Sequence, residues 1–257
     1  MRPNRRQPDV TVVLKLGGSV VTDKETPETV DDQSLAEAVE TIGEATPERL
    51  VLVHGGGSFG HYQADKHGVS LSTGSHDAQG VWAIHDAMRR LNDVIVGQLQ
   101  DAGVSALPVH PLSVAARDAN ADLTLPRESI RMMLAEGFVP VLHGDVVAQA
   151  DAGATIISGD ELVTRLATGL SADRVGLCST VPGVYDDDGA VIPRISEFAQ
   201  VDAVLGESET TDVTGGMAEK VRALLELDTP AHIFGPESLP VFLAGESAGT
   251  VVDSRSR

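Results

Sequence analysis

Apolar and polar positions along this chain follow two rhythms. Strand signals fall at Val10–Leu16, Leu50–Val53, Ala106–Val109, Val139–Leu142, Arg174–Cys178, Ala231–Phe234 and Thr250–Val251. Between them the period lengthens. Over Gln33–Glu44, Leu35, Ala38, Val39 and Ile42 recur at helical spacing. Residues 77–102 predict a long helix with Val81, Ile84, Met88, Leu91, Ile95 and Leu99 on one face. Shorter helices are predicted near Arg127–Glu136, after Gly159-Asp160, near Met217–Leu227 and over Glu237–Leu243. One hairpin is expected from Val146–Ala150 and Ala154–Ile157, and a second turns at Asp188-Gly189. Residues 1–9 show no periodicity and read as a loose arm. Strands alternating with helices over the whole length predict an α/β fold with a mainly parallel sheet covered on both faces. No repeat or linker interrupts the pattern, so one domain with two lobes is expected over residues 10–252.

Composition narrows the function classes. The chain has 257 residues, enough for a substantial core, and 38 Asp plus Glu against 19 Lys plus Arg. A net charge of −19 repels phosphate backbones, which argues against nucleic acid as a partner. High acidity with few lysines and 3% aromatic residues resembles proteins of salt-loving microbes. Cys178 is the single cysteine, which excludes a disulfide framework and a cysteine zinc site. No apolar run reaches the roughly 20 residues that span a bilayer, and the N-terminus lacks a hydrophobic signal core. A cytoplasmic protein with no membrane partner is therefore expected.

Candidate chemistry gathers at three glycine-rich junctions between strand and helix. They are Lys15-Leu16-Gly17-Gly18-Ser19, Gly55-Gly56-Gly57-Ser58-Phe59-Gly60-His61 and Thr214-Gly215-Gly216-Met217. Glycine lets backbone N–H groups approach a ligand, and a following helix N-terminus favours an anion such as phosphate. The four lysines sharpen this, because three of them accompany such turns. Lys15 sits inside an apolar strand, where an unpaired charge is costly, so its ammonium is expected to reach an anion at the strand end. Lys24 follows the first turn and Lys220 lies one helical turn beyond the third. A compact ammonium on a flexible stem suits a phosphoryl group in transfer. Lys66 lacks such a context and reads as surface.

Competing motifs are weaker. Gly55-x-Gly57-x-x-Gly60 matches a dinucleotide fingerprint in form, but no acidic residue ends a further strand at the required distance. There is no GxxxxGK[ST] loop, and the eight histidines form no HExxH or other compact ligand pair, so no protein-held metal is expected. Asp186-Asp187-Asp188-Gly189 lacks the rest of a calcium loop and reads as an exposed turn.

The stretches LKLGGSVVTDK (14–24), HGGGSFGH (54–61), SGDELV (158–163) and DVTGGMAEKV (212–221) resemble the amino acid kinase superfamily. Within it, His61 closing the second turn and Lys24 in VTDK resemble the isopentenyl phosphate kinase branch of archaea. The resemblance implies a three-layer αβα sandwich with an open sheet, usually a homodimer. It implies transfer of the ATP γ-phosphoryl group, with Mg²⁺, to isopentenyl phosphate, a small isoprenoid monophosphate. An acceptor-binding lobe would span about 10–170 and a nucleotide-binding lobe about 171–252. By the same resemblance Lys15, Gly17, Gly18 and Ser19 would hold ATP phosphates, Gly57 would face the nucleotide, and Gly216 with Lys220 would grip ATP. Gly56, Gly159 and His61 would bind the acceptor phosphate, Lys24 would stabilise the transferring group, and Asp160 would orient the lysines. Ser179-Thr180-Val181-Pro182-Gly183-Val184-Tyr185 departs from the acidic TDVDGVY of many relatives, which leaves the ribose contacts unassigned. The alternatives are another small-molecule kinase of the superfamily, such as fosfomycin kinase, or a nucleotide-binding protein without catalysis.

Overall fold

Side-chain alternation along the central strand decides what covers each face of the sheet. A computed structural model describes residues 10–45, 47–206 and 216–255. The first half runs β1 (Thr11–Leu16), α1 (Gly18–Val21), α2 (Asp32–Ala45), β2 (Arg49–His54), α3 (Gly57–Lys66), α4 (Ala78–Asp101), β3 (Ala106–Pro108), α5 (Pro111–Val114), β4 (Ala116–Arg117), β5 (Leu123–Thr124) and α6 (Glu128–Ala135). The second runs β6 (Val139–His143), β7 (Asp145–Gln149), β8 (Gly153–Ile157), α7 (Gly159–Leu170), β9 (Arg174–Cys178), β10 (Arg194–Ile195), α8 (Asp202–Gly206), α9 (Met217–Leu225), β11 (Ala231–Phe234), α10 (Leu239–Leu243) and β12 (Thr250–Val252).

The main sheet has the order β10-β12-β11-β9-β1-β2-β6-β3 and is parallel except between β11 and β12. On β1, Val12, Leu14 and Leu16 pack with Leu35 and Ile42 of α2 and Leu91 and Ile95 of α4. Val13, on the opposite face, packs with Leu162 and Leu166 of α7 and Val221 of α9. Period-two alternation thus buries both faces of one strand, and the expected three-layer αβα arrangement results. Long helices form where the apolar stripe is continuous. Asp77 starts α4 by accepting from Gln79 N and Gly80 N, each at 3.1 Å.

A second sheet, β5-β4-β7-β8, stands beside the first and carries the expected hairpin as β7 and β8. Its strands β4 and β5 have two residues each, too short for any periodicity to register. The turn at Asp188-Gly189 exists, with Gly189 at φ 78°, but Tyr185 and Val191 form only an isolated bridge and no hairpin strands follow. The helix expected over Glu237–Leu243 is split into a 3-10 turn at Pro236–Ser238 and α10. The arm at 1–9 and Thr214-Gly215 of the third glycine turn lie outside the described residues.

Candidate active site

Strand β1 lies between β2 and β9, and the turns leaving these strands meet at one sheet edge. Gly17 N donates to Cys178 O at 2.8 Å and Gly55 N donates to Leu16 O at 3.0 Å, which ties the three strand ends together. The first two glycine turns then touch backbone to backbone. A Cβ on Gly18 would lie 2.2 Å from Gly57 N, so only glycine permits this approach. Gly57 has φ 47°, and a Cβ there would lie 2.0 Å from Thr22 Oγ1. Thr22 fastens the pair: its hydroxyl donates to Gly18 O at 2.8 Å and accepts from Ser58 N at 3.0 Å.

A cavity of about 220 Å³ opens above these turns. Lys15, on the same face of β1 as Val13, reaches the start of α7, where its ammonium donates to Asp160 Oδ1 at 2.6 Å. Lys220 approaches the other oxygen from α9, with Nζ 3.9 Å from Asp160 Oδ2. Burial opposes ionisation of Asp160, but the two ammonium groups outweigh it and hold the carboxyl below its ordinary range. Ser158 caps α7 by accepting from Glu161 N at 3.1 Å, which fixes the helix N-terminus at the cavity wall. Glu161 is taken up elsewhere, accepting from Arg117 at 2.7 Å.

Lys15, Lys24, Asp160 and Lys220 therefore border one space, although they come from β1, the loop after α1, α7 and α9. Gly17, Gly18, Ser19, Gly56, Gly57, Gly159 and His61 border it too. Lys24 and His61 are exposed at its rim. Gly216 caps α9, is exposed, and is not among the lining residues. Part of the wall is apolar, built from Ala64, Val69, Ile84, Met88 and Ile156. Ile84 and Met88 of the long-helix stripe thus face a cavity as well as the core.

Sequence reasoning missed Gly144, at the turn between β6 and β7. A Cβ there would lie 3.6 Å from Gly159 N and 3.9 Å from Gly56 N, so two backbone donors border the same small volume. The available signal was a repeated ending, since His54-Gly55 and His143-Gly144 both close strands of the sheet. Also missed was Glu28, at φ 50°, which accepts from Gln63 and from Arg90 at 2.7 Å. It anchors the loop that carries Lys24 to helices α3 and α4.

The amino acid kinase family model matches residues 10–234. The chain belongs to the amino acid kinase family. Among curated members, it is 64% identical to isopentenyl phosphate kinase of Haloferax volcanii, over 94% of this chain and 98% of that one. The isopentenyl phosphate kinase of Methanocaldococcus jannaschii is 33% identical over the same shares. A solved structure described as an isopentenyl phosphate kinase superposes with a TM-score of 0.79 at 28% identity, covering 93% of this chain and 98% of that one. In this family member, then, the first two glycine turns share one cavity with Lys15, Lys24 and Lys220, and the sheet has the architecture of its relatives.

Proposed function

We propose that this amino acid kinase family member transfers the γ-phosphoryl group of ATP to isopentenyl phosphate, forming isopentenyl diphosphate and ADP. The observation that carries the reading is the meeting of Lys15 and Lys220 on Asp160 beside a cavity with an apolar wall. Such a space accommodates two anionic groups and a short hydrocarbon. The 64% identity to the Haloferax volcanii enzyme supports the choice of acceptor.

An acceptor phosphate already bears a nucleophilic oxygen, so no strong base is required. The oxygen forms a bond to the γ-phosphorus while the bond from that phosphorus to the β,γ-bridging oxygen breaks, and ADP leaves with the electron pair. The difficulty is to hold two anions in line and offset their repulsion. Lys15 with the Gly17-Gly18-Ser19 turn takes the ATP phosphates, Gly57 faces the nucleotide, and Lys220 reaches it from the start of α9, which Gly216 caps. The N–H groups of Gly56 and Gly159, with His61, hold the acceptor phosphate. Lys24 follows the transferring group, and Asp160 keeps Lys15 and Lys220 in place.

Among the described residues no group of three or more His, Cys, Asp or Glu side chains is placed to hold a metal ion. Asp160 is occupied by two lysines. These residues fit a Mg²⁺ carried by the ATP phosphates and water, where it would neutralise phosphate charge. A homodimer, which the family resemblance implies, completes this reading. A cytoplasmic location accords with the lack, among the described residues, of a helix long and apolar enough to cross a membrane. The experiment is an ADP-release assay at high salt with isopentenyl phosphate, fosfomycin and N-acetylglutamate as acceptors. Turnover specific to isopentenyl phosphate is expected. Turnover of another acceptor alone moves the protein to a different branch, and ATP binding without acceptor-dependent release makes it a non-catalytic binder.

A further inference from the structure

Strands β2 and β6 run parallel with His54 opposite His143, and each strand is followed by a glycine. Both imidazoles are fully buried and stack at 5.5 Å with 28° between their planes. They share one hydrogen-bond pattern. His54 Nδ1 lies 3.1 Å from Gly55 O, and His143 Nδ1 lies 2.9 Å from Gly144 O. A carbonyl oxygen only accepts, so Nδ1 carries the hydrogen in both rings. Burial keeps the rings neutral, with His54 pushed down to about 4 and His143 well below its ordinary value.

A neutral ring protonated at Nδ1 presents Nε2 as an acceptor, and each finds a partner. His110 Nδ1 lies 2.9 Å from His143 Nε2 and serves as its donor. His54 Nε2 faces the Asn92 amide, with Oδ1 at 3.2 Å. In that orientation two acceptors oppose each other, and Asn92 Nδ2 is buried without a partner. Reversing the amide supplies a donor to His54 and satisfies Nδ2 in one step. Asn92 Nδ2 then donates to His54 Nε2, and both histidine rings stay neutral.

The consequence reaches the cavity through a single peptide plane. In a trans peptide the C=O and the following N–H point in opposite directions. With the Gly55 carbonyl turned down onto the His54 ring, the Gly56 N–H is turned up toward the cavity. A peptide between two glycines flips at little steric cost, so its orientation needs a fixed partner. We propose that His54 is a positioning residue whose Nδ1–H locks the Gly55–Gly56 peptide so that the Gly56 N–H faces the acceptor phosphate. His143 holds the Gly144 turn by the same contact, beside Gly56 N and Gly159 N. The inference rests on the reading of this cavity as the acceptor-phosphate site. His54 itself is sealed beneath the turn and touches no substrate.

The test compares two variants of the intact chain. His54→Leu fills the space without a donor, whereas His54→Asn keeps an amide N–H near the Nδ1 position. His54→Leu is expected to raise the KM for isopentenyl phosphate by about tenfold or more, with the KM for ATP within about twofold of the parent. His54→Asn is expected to restore most of that loss. Equal impairment in both variants, or parallel loss toward ATP and acceptor, overturns the proposal. Turnover of isopentenyl phosphate by the unaltered protein, run alongside, separates a wrong acceptor from a wrong role for His54. A long-range ¹H–¹⁵N correlation spectrum of the unaltered protein decides the matter even where a variant does not fold. Neutral Nδ1–H tautomers are expected for His54 and His143 at pH 7, and an Nε2–H tautomer or imidazolium at His54 overturns the proposal.

Discussion

Lys15 donates to Asp160 at 2.6 Å across 145 residues of sequence, joining the end of the central strand to the start of α7. With Lys220 at 3.9 Å on the other carboxylate oxygen, one acid separates two ammonium groups that would otherwise repel. Asp160→Asn keeps the shape and removes the charge. The lysines then lose their shared anchor, and kcat is expected to fall by about 10- to 100-fold. Steady-state kinetics checks this, and an unchanged kcat contradicts the role given to Asp160.

Gly144 offers a cleaner separation of the two substrates. A methyl group there would sit 3.6 Å from Gly159 N and 3.9 Å from Gly56 N, in the space assigned to the acceptor phosphate. Gly144→Ala is expected to raise the KM for isopentenyl phosphate by about tenfold or more while leaving ATP binding unaltered. Calorimetric titration with each substrate reads the difference. Equal weakening of both would place the acceptor phosphate elsewhere.

Histidine burial gives the stability a defined pH dependence. Burial pushes His54 and His232 down to about 4, so between that value and about 6.5 the unfolded chain binds protons that the folded chain does not. Stability is therefore full above about pH 6.5 and declines as pH falls toward 4, by on the order of 3 kcal/mol for each such group. Asp145, pushed up by burial despite its His85 contact, works in the opposite sense above the ordinary carboxylate range. Urea denaturation from pH 7 to pH 4.5 is expected to show a falling midpoint. A flat profile contradicts the neutral, buried state of these rings.

Cys178 ends β9 at the cavity wall and is 2% exposed. Burial, helped by the charge of Glu237, pushes its thiol up to about 12. Iodoacetamide at pH 8 is expected to leave the native protein unmodified and to alkylate Cys178 in urea. Rapid native modification, read by intact mass, would mean that the wall opens.

Much of this site was legible because its parts are local. The run TVVLKL followed by Gly-Gly-Ser announces a buried strand, a tight turn and a lysine that needs an anion. Helix periodicity located α2 and α4 to within a residue or two, because their apolar stripes are continuous. What escaped depends on long-range pairing. Gly144 reads as an ordinary turn until β6 is set beside β2, and only the family resemblance, not the residues near Lys15, ties Asp160 to the lysines. The two-residue strands β4 and β5 exist only through their pairing with each other and with β7. His54 was legible as part of a motif, but its function lies in which carbonyl its ring reaches, and that is a property of the folded backbone.

Phosphorus-31 NMR of the intact protein with Mg²⁺, ATP and isopentenyl phosphate follows both phosphates at once and tests phosphoryl transfer directly. The expected spectrum shows the monophosphate resonance replaced by a coupled diphosphate pair, with one ADP formed for each acceptor consumed. ADP accompanied by inorganic phosphate and an unchanged monophosphate, or no change at all, would contradict transfer between two anions held at Lys15, Lys24 and Lys220.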